Sequence, residues 1–420
     1  MSPSVPRLLC LDITKRWTRD PTIWSPQKLL AGDASFFPAS LSLSVKRSLT
    51  SRFFMYEENA GMKLKDENGP TQVVQLSPSE LADILNEQPV DDAAGNNRMV
   101  HQHHYCTFPV ENTAPGLLSQ IKDYEKLHDD HRLLDPRGPS LWMGSSGSGT
   151  QAHYDVADNV ICQLFGTKRI RCYSPKAASA LHVFPDAHPR ARKSQVNFDN
   201  PDHTLFSNFS SLPPPEIDVE LGPGSALFIP AFWFHHVENG IVEKNGSPLQ
   251  LGDPGPSISL NLFALSKSMM VAQNIFRDAS RPFKSATEPH FEFAVTALHA
   301  LSWKLFKGLN VEYEPSKFIQ KHLLDTRYAP LRNETLKHSG NYTRGRERLR
   351  MRSKLTVEEE EIISNCIARI LPHFASLCEE DDDDGILPLV VCHLFELWAV
   401  ELVGASSVAE VWEAVLLLDV

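Results

Sequence analysis

Between Leu141 and Phe263 the chain is cut into short runs rich in β-branched and aromatic residues, with glycine or proline at most breaks. NVICQLFG (159–166) is followed at once by TKRIRCYS (167–174), and VELG and SALFIP flank Gly222-Pro223-Gly224. SISLNLFAL (257–265) then alternates polar and apolar positions. Many short runs with glycine and proline turns speak against a parallel α/β sheet. The spacing predicts an antiparallel sandwich or barrel. Gly166-Thr167 and Gly222-Pro223-Gly224 carry turn chemistry and are expected to close two hairpins.

The flanks read differently. In QLSPSELADIL, Ser77 caps a helix that begins at Pro78, and Glu80 completes a capping box. Breaks at 66–70 (DENGP) and 91–97 (DDAAGNN) divide the N-terminal part into short elements. After Ser266, apolar residues recur at three- and four-residue spacing over 291–309, predicting a helix there, with further helices over 357–378 and 386–418. The fold class expected is mainly β with helical additions: a double-stranded β-helix (jelly-roll) core and an α-helical C-terminal region. The divisions are an α/β region over 1–136, the barrel over 137–265, and a helical extension over 266–332. A basic linker over 333–355 and an acidic helical module over 356–420 complete the chain.

Charge is unevenly divided. The formal net charge of −11 sits in residues 356–420, which hold 15 acids and one arginine. The first 355 residues carry 37 acids and 40 bases, a mildly basic body compatible with an anionic partner. The seven cysteines (10, 106, 162, 172, 366, 378, 392) form no CxxC pair, which fits reduced thiols in a cytosolic or nuclear protein. No run of 18 apolar residues is free of charge, and the N-terminus lacks the layout of a signal peptide, so no membrane attachment is expected.

The chemistry is concentrated in two strand-like segments. His153 and Asp155 in HYD stand at i and i+2, which places both on one side of a strand. His235, in IPAFWFHHV, is followed by His236, which should point the opposite way. Two imidazoles and one carboxylate are the set that holds non-haem Fe(II) on one face and leaves the other open. Lys168, fifteen residues after His153, falls where a barrel strand would aim it inward, and a buried ammonium requires an anion. Its other reading is a solvated residue beside Arg169 and Arg171. Asn159 and Asn261 lie in otherwise apolar strands, and Thr150 precedes His153 by three. A dicarboxylate chelating the iron would partner the lysine and the amides together.

HYDVADNVICQLFGTKRI, SQVNFDNPD (194–202), LGPGSALFIPAFWFHHV and ISLNLF resemble the JmjC, or cupin-like, Fe(II)/2-oxoglutarate oxygenases over about residues 137–265. The DNPD stretch, PAFWFH and SRFFMY (51–56) are similar to the branch that hydroxylates the wybutosine precursor of phenylalanine tRNA. SQVNFDNPD and the doubled histidine are similar to the asparaginyl hydroxylase that inhibits hypoxia-inducible factor. The resemblance implies iron ligation by His153, Asp155 and His235. It also implies 2-oxoglutarate contacts from Lys168 and Thr150 at the distal carboxylate, from Asn159 and Asn261 at the metal end, and from Tyr105. Fe(II), 2-oxoglutarate and O2 would then support hydroxylation of a C–H bond, with release of succinate and CO2. The leading partner is tRNA, with Arg190, Arg192 and Lys193 or the cluster 344–354 as phosphate contacts, although the preferred reading of 344–354 is a solvated helix face or linker. The alternative is a protein side-chain hydroxylase. Behind it come a lysine demethylase and an inactive interaction protein, and a homodimer is one assembly that the sequence allows. The insertion 239–256 and the acidic module depart from both branches.

Overall fold

A computed structural model describes residues 5–32, 36–38, 40–48, 71–86, 102–130, 134–240, 255–280, 283, 290–310, 314–331, 354–381 and 385–418. SRFFMY, the breaks at 66–70 and 91–97, most of the 239–256 insertion and residues 344–353 of the basic cluster lie outside the described residues. One compact unit gathers Met1–Met55, Asn68–Ser174 and Pro214–Ser266, and a second gathers Pro175–Pro213 and Lys267–Val420.

Among its described residues the first unit holds twelve strands: β1 Arg7–Leu9, β2 Leu43–Ser48, β3 Thr71–Leu76, β4 His103–Pro109, β5 Ser140–Gly144, β6 Gly149–Tyr154, β7 Ala157–Phe165, β8 Lys168–Tyr173, β9 Ile217–Leu221, β10 Ala226–Ile229, β11 Phe234–Asn239 and β12 Ser257–Leu265. They form an eight-stranded sheet in the order β1-β10-β7-β12-β5-β4-β2-β3 and a four-stranded sheet in the order β6-β11-β8-β9. Every pairing is antiparallel. From β5 to β12 the chain passes back and forth between the sheets, which is the jelly-roll arrangement expected from the sequence.

The two expected hairpins do not form. β8 follows β7 across Gly166-Thr167 but pairs with β9 and β11, and β10 leaves the sheet that holds β9. Both edges of β7 are already taken by β10 and β12, so the turn must hand the chain to the other sheet. At the corner Gly166 adopts φ +65°, and a Cβ there would run into the Pro256 carbonyl. The Gln163 amide ties the corner down, donating to Phe165 O at 2.7 Å, Gly166 O at 3.0 Å and Ser257 Oγ at 2.9 Å.

Alternation along the strands separates two cores. Val160, Cys162 and Leu164 of β7, with Leu260 and Leu262 of β12, turn to one face of the large sheet. There they pack with Trp17, Trp24, Leu29, Leu81 and Leu117 from the N-terminal helices. Ile161 faces the small sheet and packs with Ile170, Cys172, Leu227, Ile229 and Val237. The helix Pro78–Asn86 carries the expected capping box: Ser77 N–H donates to Glu80 Oε2 at 2.7 Å, and Glu80 N–H to Ser77 Oγ at 3.3 Å.

In the second unit the helix Phe291–Leu309 occupies the bounds that its periodicity predicts, ending at left-handed Asn310. Val357–Asp381 and Ile386–Val403 follow, and Gly404 separates the latter from Val408–Leu416, so the 386–418 segment is two helices. Ile386–Val403 is long and apolar enough to cross a membrane by length and composition, with a mean hydropathy of 1.9. It is 61% buried within the protein, however, and carries Glu396 inward. That carboxylate meets Arg327 at 2.9 Å, Arg327 also pairs with Asp186 at 2.6 Å, and His393 lies 3.4 Å from Asp186. The arginine holds Asp186 below the usual carboxylate range, while burial pushes Glu396 up to about 7. A charged cluster satisfied by neighbouring elements is the signature of a helix in a protein core.

Candidate metal centre

His153 near the end of β6 and His235 near the start of β11 are direct cross-strand partners, with ring centroids 4.1 Å apart. Residues paired in this way share a face of the sheet. Asp155 lies just beyond β6, its Oδ2 3.6 Å from His235 Nε2. One ligand atom from each of the three residues falls within a common 4.8 Å. His235 is buried, while His153 and Asp155 are half-buried and so retain some contact with solvent.

The rings are oriented from behind. His153 Nδ1 sits 2.8 Å from Gln151 O, and His235 Nδ1 3.1 Å from Trp233 O. A carbonyl can only accept, so in the neutral rings Nδ1 carries the proton and Nε2 presents its lone pair. Both histidines are thus held in a metal-binding tautomer. Asp155 is clasped through its backbone: Phe232 N–H donates to Asp155 O at 2.8 Å, with Phe232 at φ +67° and its ring stacked on Tyr154. A bulky residue in the left-handed region costs about 1–2 kcal/mol, so surrounding contacts must enforce this turn. Asp158 contributes, accepting from Ala231 N–H at 2.9 Å.

Thr150 joins this face because of a bulge. His235 pairs with His153 and Val237 with Thr150, so Gln151 and Ala152 together oppose His236 alone. On a regular strand, positions 150 and 153 would face opposite ways; the extra residue brings them to the same side. His236 is buried and lies outside the converging group, as its alternation predicts.

Lys168, at the start of β8, is 3% exposed and donates from Nζ to Ser259 Oγ at 2.6 Å across the gap between the sheets. Ser259 Oγ in turn donates to Asn261 Oδ1 at 3.1 Å, and Asn261 Nδ2 to Asn159 Oδ1 at 3.4 Å. Lys168, Asn261 and Asn159 therefore form one network, with Ser259 as the link that sequence reasoning missed. Its signal was the polar phase of SISLNLF, in which Ser257, Ser259 and Asn261 share a face. No acidic side chain pairs with Lys168 among the described residues, and burial pushes its ammonium down to about 7.

Tyr105 is buried on β4, opposite Gly144 of β5, its ring edge-on to Trp142 at 6.0 Å. A Cβ on Gly144 would come within 2.5 Å of Asn239 Nδ2 and 3.0 Å of Tyr105 Cδ2. Asn239 is the cross-strand partner of Lys168, so Tyr105 stands at the lysine end of the network. Lys193 is buried, which removes it from the expected phosphate contacts, and Arg190 lies over the Phe184 ring at 5.8 Å.

Residues 69–263 match the cupin-like domain family. A JmjC domain-containing protein of Dictyostelium discoideum is 34% identical over 111 residues, covering 26% of this chain and 24% of that protein. The human tRNA wybutosine-synthesizing protein 5 is 40% identical over 96 residues, 23% of this chain and 28% of that protein. Lysine-specific demethylase 8 of Xenopus tropicalis is 35% identical over 98 residues, covering 23% and 21%. The chain thus spans about a quarter of the length of these curated relatives.

Proposed function

We propose that this chain, cupin-like over residues 69–263, is an Fe(II)- and 2-oxoglutarate-dependent dioxygenase that hydroxylates a C–H bond. One observation carries the reading: a His-Asp-His cluster with both imidazoles fixed for ligation, in a barrel whose buried lysine has no carboxylate partner among the described residues. The donor set suits Fe(II), and the lysine suits the far acid of a dicarboxylate.

His153, Asp155 and His235 would hold the metal, with Asp155 supplying one negative charge that favours a divalent ion over a neutral site. Lys168, Thr150 and Tyr105 would receive the distal carboxylate, and Asn159 and Asn261 the metal-proximal end. Bound iron and 2-oxoglutarate would supply the oxidising chemistry, one oxygen atom of O2 entering succinate as CO2 leaves and the other entering the substrate C–H bond. The protein's part is to orient the ligands, exclude water from the lysine end and keep one side of the metal cluster open.

For the substrate we assign a modified tRNA nucleoside, the wybutosine precursor beside the anticodon. The similarity to the wybutosine-synthesizing relative and the mildly basic first 355 residues support it. Hydroxylation or demethylation of a protein side chain is the second reading, favoured by the similarity to lysine-specific demethylase 8. Purified protein with Fe(II), O2 and 2-oxoglutarate should release succinate, and the Asp155→Ala form should not. Deleting the protein and profiling tRNA nucleosides by mass spectrometry separates the substrates. An unaltered wybutosine pattern, in cells that make it, removes the tRNA reading.

A further inference from the structure

Ser259 holds the centre of the polar network without belonging to any expected ligand set. It is fully buried on β12, flanked in register by Trp142 of β5 and Gln163 of β7. A hydroxyl has one proton to give and two lone pairs. Here the proton goes to Asn261 Oδ1 and a lone pair receives the Lys168 ammonium. Two consequences follow. The Asn261 carbonyl is turned toward Ser259, so its NH2 faces Asn159 and is available to an acid on that side. The lysine, whose flexible four-carbon stem could otherwise place its charge over a range of depths, has its Nζ fixed to the Ser259 hydroxyl on β12.

We propose that Ser259 is a positioning residue that sets the chain length of the 2-oxo dicarboxylate the site accepts. Ser259 and Asn261 are one strand repeat apart, about 6.6 Å along β12. Across that backbone interval the Ser259 hydroxyl links the two groups, 2.6 Å from Lys168 Nζ, which would meet the distal carboxylate, and 3.1 Å from Asn261 Oδ1, whose amide would meet the metal-proximal end. With the hydroxyl present, both ends of the ruler are tied to one strand. Without it, the lysine head is held by the ligand alone and can withdraw to admit a longer one. The inference rests on the proposed 2-oxoglutarate chemistry.

The test uses the full chain loaded with Co(II) in place of Fe(II), and compares Ser259→Thr with Ser259→Val, which have nearly the same shape and differ in the hydroxyl. Titration calorimetry measures Co(II), 2-oxoglutarate and 2-oxoadipate, the last being one methylene longer. Co(II) affinity should be the same in all forms. Ser259→Val should bind 2-oxoglutarate about tenfold more weakly, as loss of a charge-assisted hydrogen bond implies. Its preference for 2-oxoglutarate over 2-oxoadipate should collapse, while Ser259→Thr keeps both affinity and preference. A Ser259→Val protein with the wild-type preference overturns the inference and leaves the dioxygenase reading standing. A wild-type protein that takes up Co(II) but neither diacid overturns the dioxygenase reading, and this inference with it.

Discussion

Replacing Lys168 by Met keeps the apolar stem of the side chain and removes the charge, and the effect on stability should depend on pH in a defined way. In the unfolded chain the lysine holds its proton up to the ordinary value of 10.5; in the fold, burial brings this down to about 7. The difference is ~3.5 pH units, which at about 1.36 kcal/mol each makes the buried charge cost about 5 kcal/mol. Below about pH 7 both states are protonated and the whole cost acts against the fold. Between about 7 and 10.5 the unfolded state binds more protons, so stability rises with pH by roughly 1.4 kcal/mol per unit. Lys168→Met has no such term. In urea unfolding of the metal-free protein, the advantage of Lys168→Met over the wild type should shrink by about 3 kcal/mol between about pH 7 and pH 9.5. Ligand binding gives the converse signal. A distal carboxylate restores the ammonium, so 2-oxoglutarate should bind metal-loaded protein with uptake of close to one proton at about pH 8.5. Calorimetry in buffers of different ionisation enthalpy measures that uptake. Parallel stability curves for the two proteins would refute the argument that the fold buries a charge at this position.

Three further changes probe other parts of the structure. Gly144→Ala puts a methyl 2.5 Å from Asn239 Nδ2, 2.8 Å from Ser148 Oγ and 3.0 Å from Tyr105 Cδ2. It should cost about 1–3 kcal/mol in thermal or urea unfolding and weaken 2-oxoglutarate binding, with metal affinity unchanged. Arg327→Met leaves Asp186 and Glu396 buried without their cation, and should destabilise the protein by about 3–5 kcal/mol, with Glu396→Gln added to it recovering part of the loss. Ser77→Ala removes one half of an exposed capping box and should cost only about 1 kcal/mol, read from the denaturation midpoint.

The His-Asp-His cluster was legible because its chemistry is local. An i, i+2 pair shares a strand face whatever the rest of the chain does, and His235 lies next to a proline-led strand that could return to it. The helix over 291–309 was legible for the same reason, since its period is carried within the segment. What failed was the partner of each strand. Glycine at 166 and at 222–224 reports that the chain must turn, not which neighbour it meets. With both edges of β7 occupied, the turn becomes a corner between sheets. Thr150 has the converse history. Its spacing from His153 looks wrong for a strand, and only the bulge opposite His236 makes the pair coherent. Ser259 went unassigned because a serine in an alternating strand looks like a solvated position until the facing sheet brings an ammonium to it.

The registers of the small sheet also fix a direction along the barrel. Lys168 stands opposite Asn239; one repeat further, Ile170 stands opposite Val237, which also pairs with Thr150. One repeat beyond that, Cys172 stands opposite His235, which pairs with His153. On the large sheet β12 advances in the same steps, from Ser259 to Asn261 to Phe263, the last paired with Asn159. The hydrogen bond from Lys168 to Ser259 joins the two sheets at one level, and that from Asn261 to Asn159 runs from β12 to β7 within the large sheet. One end of the face therefore offers a cation and the other a cluster of metal ligands, with amides and a threonine between. A two-ended acid laid along it can satisfy both ends in one orientation, its distal carboxylate at Lys168 and its chelating end at His153, Asp155 and His235. Reversed, it would set the chelating group against an ammonium and leave the metal a single carboxylate. The order of residues on β8, β11 and β12 is thus a physical reason for a 2-oxo dicarboxylate over a monocarboxylate, independent of any sequence likeness.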